Sequence, residues 1–259
     1  MPFYRQVDED RFEATPYTRG PWDPSSQHAG PPAALLGRAV EQQAKLGAPM
    51  RVARLMFDIA RPVPIGPMTV TSRHVRAGRS VAAIEAEFST GAGVMAMRAT
   101  ALLIRVAEDV APAVPDDPSP PGPDEATSEP FFPVEYDVGY HTGMECRFTE
   151  GSFLSPGPAT CWMRMRVPLV EGEEPSPLAR VLVAADSGNG ISSVLDWRSS
   201  LFINPELTVH LHRYPVGEWV CLSARTTIDA DGIGLTHTRL FDERSALGRG
   251  AQSLFVARR

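Results

Sequence analysis

An aspartate at the end of a short apolar helix is the residue whose position first suggests chemistry. Residues 176–193, SPLARVLVAADSGNGISS, begin with a serine and a proline typical of a helix N-cap and first turn, and Gly188 lies where a C-cap glycine is expected. Asp186 falls in the last turn, on the border of the apolar face that includes Leu178 and Leu182. Burial and the helix dipole both oppose a negative charge there, the dipole by about 0.3–1 kcal/mol. We therefore interpret Asp186 as a general base, with a solvent-facing acid as the alternative.

Two side-chain amides further along the chain are candidates to assist such a base. Gln252 has the strand parity of Leu254 and Val256, so its side chain points to the same side as those apolar residues. A buried amide without partners costs about 1–3 kcal/mol, so Gln252 must bond either to a functional group or to backbone. Asn204 lies before a proline at the start of a predicted strand, where a simple turn residue is the alternative interpretation.

The loop before the first predicted helix, SSQHAGPP, supplies two candidate substrate-binding residues, His28 and Gly30. His28 is expected to line a cleft, and a purely capping loop is the alternative. His210 and His212 share one face of a predicted strand, but no third ligand lies at a recognisable spacing. We therefore expect an exposed strand face there and no metal site.

Composition and motifs exclude several classes of function. The chain has 259 residues and a formal net charge of -6, which is not the charge of a nucleic-acid-binding protein. GxGxxG, P-loop, HExxH and GxSxG motifs are absent from the sequence, so no cofactor is expected. No apolar run reaches about 18 residues, and no basic-then-apolar signal pattern opens the chain. Three widely spaced cysteines fit a reducing compartment, so we expect a cytoplasmic protein without a membrane span.

A proline-rich, acidic stretch around residues 111–133 divides the sequence into two halves. We predict an N-terminal repeat over 1–106, a linker over 107–133 and a C-terminal repeat over 134–259 that holds the site. Each half contains a strand-like segment, a helix (residues 30–44 in the first half) and then four strand-like runs joined by short turns. The predicted runs are 51–63, 67–77, 79–89 and 93–106 in the first half and 201–216, 218–229, 232–242 and 246–259 in the second.

Strands joined by short turns favour an antiparallel sheet, and one long helix per half covers one face of it. The predicted fold class is therefore α+β, a double hotdog of two repeats whose sheets form one extended layer. A pair of lipocalin-like or sandwich β-domains is the alternative. Alignment of the halves places Thr100 opposite Gln252 and Val52 opposite Asn204, which predicts one site per chain.

The sequence resembles the type II acyl-CoA thioesterases over almost its whole length. The resemblance rests on QHAGPPAALLGRA, AADSGN, HLHRYPVGEWV and GAQSLFVARR, in that order. It implies hydrolysis of acyl-CoA or acyl-carrier thioesters by a homo-oligomer without a cofactor. In that family an aspartate, a threonine and a glutamine position the attacking water, and the matching residues here are Asp186, Asn204 and Gln252. The middle residue departs from the family pattern, since asparagine replaces threonine.

Two other functions remain open at this point. A hotdog hydratase or dehydratase acting on acyl thioesters requires an aspartate–histidine pair, and no histidine lies near Asp186 in the sequence. A non-catalytic acyl-CoA-binding or scaffold protein is the second alternative, and the asparagine at position 204 favours it. Incubation with acyl-CoA substrates distinguishes the three functions. A thioesterase releases free CoA, a hydratase forms a water-addition product, and a non-catalytic protein only binds.

Overall fold

The chain folds into two copies of one arrangement, in which antiparallel strands lie against a long helix. The computed structural model describes residues 1–44, 49–114, 118–131 and 134–259. The N-terminal copy consists of β1 (Tyr4–Gln6), β2 (Arg11–Ala14), α1 (Gly30–Ala44), β3 (Met50–Ile59), β4 (Pro67–Arg76), β5 (Val81–Thr90) and β6 (Met95–Arg105). The C-terminal copy consists of α2 (Tyr140–Gly143), β7 (Met144–Ser152), β8 (Ser155–Met165), α3 (Pro177–Ala185), α4 (Gly188–Ile191), β9 (Ser200–Ile203), β10 (Glu206–Leu211), β11 (Val220–Ile228), β12 (Ile233–Phe241) and β13 (Ala246–Arg258).

One continuous sheet joins the two copies. Its strand order is β1-β2-β4-β5-β6-β3-β10-β13-β12-β11-β8-β7, and β9 pairs with β13. Outward from the central β3–β10 pair, the order is β3-β6-β5-β4-β2-β1 in the N-terminal copy and β10-β13-β12-β11-β8-β7 in the C-terminal copy. Strands at the same place in these two orders correspond to each other. The order therefore confirms the predicted double hotdog and its single extended layer.

The two long helices lie against each other on one side of this sheet. A side chain added at Gly37 of α1 would collide with Leu182 of α3, and one added at Gly30 would collide with the carbonyl oxygen of Val183. Gly30 is therefore required for the close approach of the helices, and Gly37 leaves room for the Leu182 side chain. As a result, the start of α1 lies beside the end of α3. Within the described ranges, no helix is long and apolar enough to cross a membrane.

The end of α3 differs from the prediction. Ser176 caps the helix as expected, because its hydroxyl accepts a hydrogen bond from the Ala179 N–H at 3.1 Å. Gly188, predicted as the C-cap, instead begins α4. Asp186 is the C-cap, and both it and Ser187 keep right-handed backbone angles, so the chain continues into a second helical turn.

Two further details of the strands correct the sequence analysis. The predicted strand 201–216 is broken into β9 and β10 at Asn204 and Pro205, because proline lacks the N–H that a strand interior requires. Thr100 does not occupy the position of Gln252, because Ala99 and Ala101 are the fully buried neighbours on β6 and Thr100 faces the other side. Strands β1 and β7 and helices α2 and α4 were not predicted.

The proline-rich segment contacts the C-terminal copy, although most of its described residues are exposed. The Trp162 indole N–H donates to the Pro121 carbonyl at 2.7 Å, and Arg147 donates to the Pro123 carbonyl at 3.1 Å. Thr127 forms an antiparallel bridge with Phe148 of β7. At the opposite end of the sheet, Val170 forms a bridge with Tyr4 of β1. The domain limits at 106 and 134 remain a prediction.

Candidate active site

The carboxylate of Asp186 lies at the centre of a polar cluster between the two copies. Its side chain is only 5 % exposed, because the end of α3 faces both the start of α1 and strand β13. The break between β9 and β10 turns Asn204 toward it, and the Asn204 side-chain amide donates to Asp186 Oδ1 at 2.8 Å. Pro205, which interrupts the strand, thus positions Asn204 beside Asp186.

Gln252 lies on the inner face of β13, as its strand parity predicts, and is 1 % exposed. Its amide nitrogen donates to the Asp186 carbonyl at 3.1 Å and approaches Oδ1 at 3.5 Å. Its amide oxygen accepts the Asn189 N–H at 3.1 Å. Gln252 therefore ties the end of α3 to the start of α4 and faces the carboxylate at the same time.

His28 reaches the same carboxylate from the N-terminal copy. Its Nδ1 lies 3.2 Å from Asp186 Oδ2, and its ring stacks on Tyr140 with a centroid separation of 3.7 Å and an interplanar angle of 4°. Burial lowers the pKa of His28 below its ordinary value, and the neighbouring Asp186 opposes that shift. An aspartate–histidine contact is therefore present, although the two residues are far apart in the sequence.

Gly30 holds the imidazole from the first turn of α1. Its backbone N–H donates to His28 Nδ1 at 3.1 Å. The next two residues are Pro31 and Pro32, which have no N–H, so Gly30 alone among these three can donate. The five predicted site residues are thus brought together, while the substrate-binding role of His28 and Gly30 stays a prediction.

Tyr140 and Asn189 belong to the cluster but were not predicted. The Tyr140 hydroxyl lies 2.8 Å from the Val183 carbonyl, to which it donates, and 2.9 Å from Ser187 Oγ. Burial raises the pKa of Tyr140 well above its ordinary value, so the hydroxyl keeps its proton. Asn189 lies within the quoted segment AADSGN, where its position just after a helix end was the available signal. Tyr140 follows the proline-rich stretch and has no periodic pattern around it.

A chain of buried hydroxyls lies next to Gln252. Ser192 Oγ is 2.8 Å from Thr226 Oγ1, which is 2.7 Å from Thr236 Oγ1. Ser192 also donates to the Gly188 carbonyl at 2.9 Å. Buried polar groups are stable when bonded in this way, so the interior of this copy is polar beside the site.

The described residues contain no group of three or more His, Cys, Asp or Glu that could hold a metal ion. His210 on β10 and His212 just beyond it are both exposed, which confirms the predicted exposed face. The cysteines at 146, 161 and 221 are free thiols. The cluster offers a carboxylate, an imidazole, side-chain amides and the hydroxyls of Tyr140 and Ser187.

Comparison with solved structures identifies the fold. A candidate thioesterase II from Thermobifida fusca YX is 20% identical, with a TM-score of 0.76, over 98% of this chain and 95% of that one. A hot dog fold protein from Alicyclobacillus acidocaldarius is 17% identical, with a TM-score of 0.73, over 97% and 95% of the two chains. The acyl-CoA thioesterase II TesB2 from Mycobacterium marinum is 13% identical, with a TM-score of 0.66, over 99% and 96%.

Family models match both halves of the chain. The acyl-CoA thioesterase N-terminal domain matches residues 18–106, and the acyl-CoA thioesterase C-terminal domain matches residues 111–256. No curated protein sequence matches. Since the C-terminal match alone covers more than half of the sequence and the two matches follow each other in order, the chain belongs to the acyl-CoA thioesterase family.

Proposed function

We propose that this protein hydrolyses acyl-CoA thioesters, with Asp186 as the general base. The observation that carries the proposal is the convergence of the Asn204 and Gln252 amides on a buried carboxylate. Two amide donors orient the carboxylate, and the amide oxygen of Asn204 is suited to accept a hydrogen bond from a water molecule beside it. Asparagine 204 retains the donor that the family threonine would supply.

In the proposed reaction, a water molecule attacks the carbonyl carbon of the thioester while Asp186 accepts one of its protons. The resulting tetrahedral intermediate collapses with cleavage of the carbon–sulfur bond. The proton taken up by Asp186 returns to the departing thiolate, so the products are a carboxylic acid and free CoA. A buried base that both accepts and returns the proton accounts for each proton without a further group.

The test is the substitution Asp186→Asn, which keeps the shape of the side chain but removes the base. We expect thioester hydrolysis to fall by about 10²–10⁴-fold, the usual contribution of a general base, while binding of acyl-CoA persists. Free thiol release from a panel of acyl-CoA and acyl-carrier thioesters is the measurement. Asp231→Asn, at an exposed turn, is the matched control. Unchanged hydrolysis in Asp186→Asn would remove the catalytic assignment.

The contact between His28 and Asp186 also favours a second candidate, a hotdog hydratase. Such an enzyme needs an aspartate and a histidine at one site, and these residues are 3.2 Å apart here. Incubation with a 2-enoyl-CoA separates the two functions. A hydratase yields a product heavier by one water with the thioester intact, whereas a thioesterase releases the acid and CoA.

We propose that the protein is a homo-oligomer located in the cytoplasm. Ile233, Phe255 and Ile203 are directly paired neighbours on three strands and are 69%, 54% and 36% exposed, so they form an apolar row suited to an interface. Three free cysteines agree with a reducing compartment.

Light scattering tests the assembly. We expect Phe255→Ser to lower the molar mass of the assembly, because it removes the centre of the row. Val7→Ser, also at an exposed apolar residue but far from the row, serves as the control. An unchanged molar mass in Phe255→Ser would show that the row is not the interface.

A further inference from the structure

The hydrogen bond between Gly30 and His28 defines the state of one imidazole nitrogen. The Gly30 N–H donates to His28 Nδ1, and its start-of-helix position gives it no alternative carbonyl within α1. A ring nitrogen that accepts a hydrogen bond carries no proton. The neutral ring therefore has its proton on Nε2 and a lone pair on Nδ1.

The same lone pair faces the carboxylate of Asp186. Oδ2 lies 3.2 Å from Nδ1, which is hydrogen-bond distance, yet an ionised carboxylate oxygen is also only an acceptor. Two acceptors at this distance attract each other only when a proton lies between them. Oδ1 is already occupied, because it accepts from the Asn204 amide at 2.8 Å. A proton newly acquired by the carboxylate is therefore most stable on Oδ2, where it can be donated in a hydrogen bond to His28 Nδ1.

We propose that His28 is a positioning residue that acts through Asp186, because its Nδ1 accepts a hydrogen bond from Asp186 once Oδ2 has taken the proton of the attacking water. This inference rests on the proposed function. In the step, the water O–H bond breaks, the O–H bond at Oδ2 forms, and that hydrogen is donated to Nδ1. The proton is still on Oδ2 when the thiolate leaves and then returns to sulfur. The imidazole never changes its own proton count.

The surroundings of the ring keep it in place for this role. Tyr140 stacks flat on the imidazole, and its hydroxyl is directed to the Val183 carbonyl and to Ser187 instead of to the ring. Among the described residues, Asp186 and Tyr140 are the titratable groups in contact with the His28 ring, and Tyr140 keeps its proton. Protonated Asp186 is therefore the titratable group that donates to Nδ1 during the reaction, and it then shares the Nδ1 lone pair with the Gly30 N–H.

Two substitutions separate this role from simple packing. His28→Phe keeps an aromatic ring to stack on Tyr140 but removes the acceptor, so we expect kcat to fall by about tenfold with KM changed by less than about twofold. In His28→Asn, an amide oxygen can replace Nδ1, and we expect most of kcat to return. An asparagine that is no faster than the phenylalanine variant, or a phenylalanine variant with the kcat of the wild type, overturns the inference. Thermal unfolding of both variants verifies the fold.

The pH profile gives a readout that packing does not affect. When the ring becomes an imidazolium, Nδ1 carries a proton and can no longer accept one from Asp186. Since burial holds the pKa of His28 below its ordinary value of 6.5, this loss occurs only at more acidic pH. Asparagine does not titrate, so the ratio of His28→Asn to wild-type rates should rise as the pH falls. A constant ratio contradicts the inference.

A double substitution distinguishes failure of this inference from failure of the proposed function. If His28 acts through Asp186, then His28→Phe causes no further loss in an Asp186→Asn background. A full additional tenfold loss overturns the inference and leaves the general base in place. Hydrolysis at the wild-type rate in Asp186→Asn alone overturns the proposed function itself.

Discussion

The two copies of the hotdog share a strand order but differ in what they bury. On β5 of the N-terminal copy the buried residues are apolar, Ala82, Ile84, Ala86 and Phe88. On the corresponding β12 of the C-terminal copy, Thr236 and Thr238 are buried instead. The inner face of β6 carries Ala99 and Ala101, whereas β13 carries Gln252.

This difference shows that the two copies of a duplicated fold have different roles. An apolar interior stabilises the N-terminal copy, which contributes only its loop and the start of α1 to the site. The C-terminal copy accepts polar groups in its interior, which are stable only because each has a partner, such as the Thr226–Thr236 pair. Buried side-chain hydrogen bonds also occur in the N-terminal copy, for example between Tyr4 and Gln27, but on the corresponding strands just compared the buried polar residues belong to the copy that holds the base.

Among the tests of this comparison, the largest effect is expected when the buried amide of Gln252 is removed, and a glutamine introduced into the N-terminal copy is its counterpart. Gln252→Leu removes the donor to Asp186 and leaves the Asn189 N–H without its acceptor, so hydrolysis should fall by about 10²-fold. Ala101→Gln introduces an amide into the apolar copy, where it should reduce the free energy of unfolding by about 1–3 kcal/mol without changing the rate. Rates and denaturant unfolding of both variants are the measurements. A Gln252→Leu variant with wild-type activity would show that the polar interior serves the fold alone.

An intermediate effect is expected from Gly188→Ala, which adds one methyl group beside Gln252. A Cβ at Gly188 would lie 2.8 Å from the Gln252 amide oxygen and 2.5 Å from Thr238 Oγ1, so Gly188→Ala must displace the amide. We expect a loss of about tenfold in kcat. Gly250→Ala is the matched control, because its Cβ would meet Thr238 Cβ at an ordinary 3.6 Å. Equal rates in the two variants would contradict the role of Gln252 in placing the carboxylate.

The smallest effect is expected at Asn204. Asn204→Thr restores the family residue and keeps a donor for Asp186 Oδ1, so the rate should change by less than about threefold. Asn204→Val removes the donor to Asp186 Oδ1 while keeping a small side chain, and should lower the rate by about tenfold. Steady-state hydrolysis compares the two. If valine equals threonine, the hydrogen bond from position 204 is not used.

The sequence predicted the elements whose signals are local. Helix α1 spans the predicted residues 30–44, because its apolar spacing and its prolines at the start are properties of neighbouring residues. The parity of Gln252 correctly predicted its buried face, since strand alternation is also local. The family resemblance added which polar residues belong together, and Asp186, Asn204 and Gln252 do lie in contact.

Features that depend on distant contacts were not predictable. The position of His28 beside Asp186 requires the packing of α1 on α3, which no sequence pattern specifies. The alignment of Thr100 with Gln252 was wrong, since Gln252 is buried while Thr100 lies between the buried Ala99 and Ala101 and faces the other side of its strand. The short strand β1 was missed because three residues show too little alternation.

The two bridges at the ends of the sheet have a consequence for solubility. A strand at the edge of an open sheet offers unpaired N–H and C=O groups on which another molecule can add a strand. Thr127 occupies this position on β7, exchanging both of its backbone hydrogen bonds with Phe148 at 2.7 and 2.8 Å. The segment around Val170 does the same on β1, where the Tyr4 N–H donates to the Leu169 carbonyl at 2.9 Å. These two bridges therefore obstruct the addition of a further strand from another molecule at both ends of the described sheet.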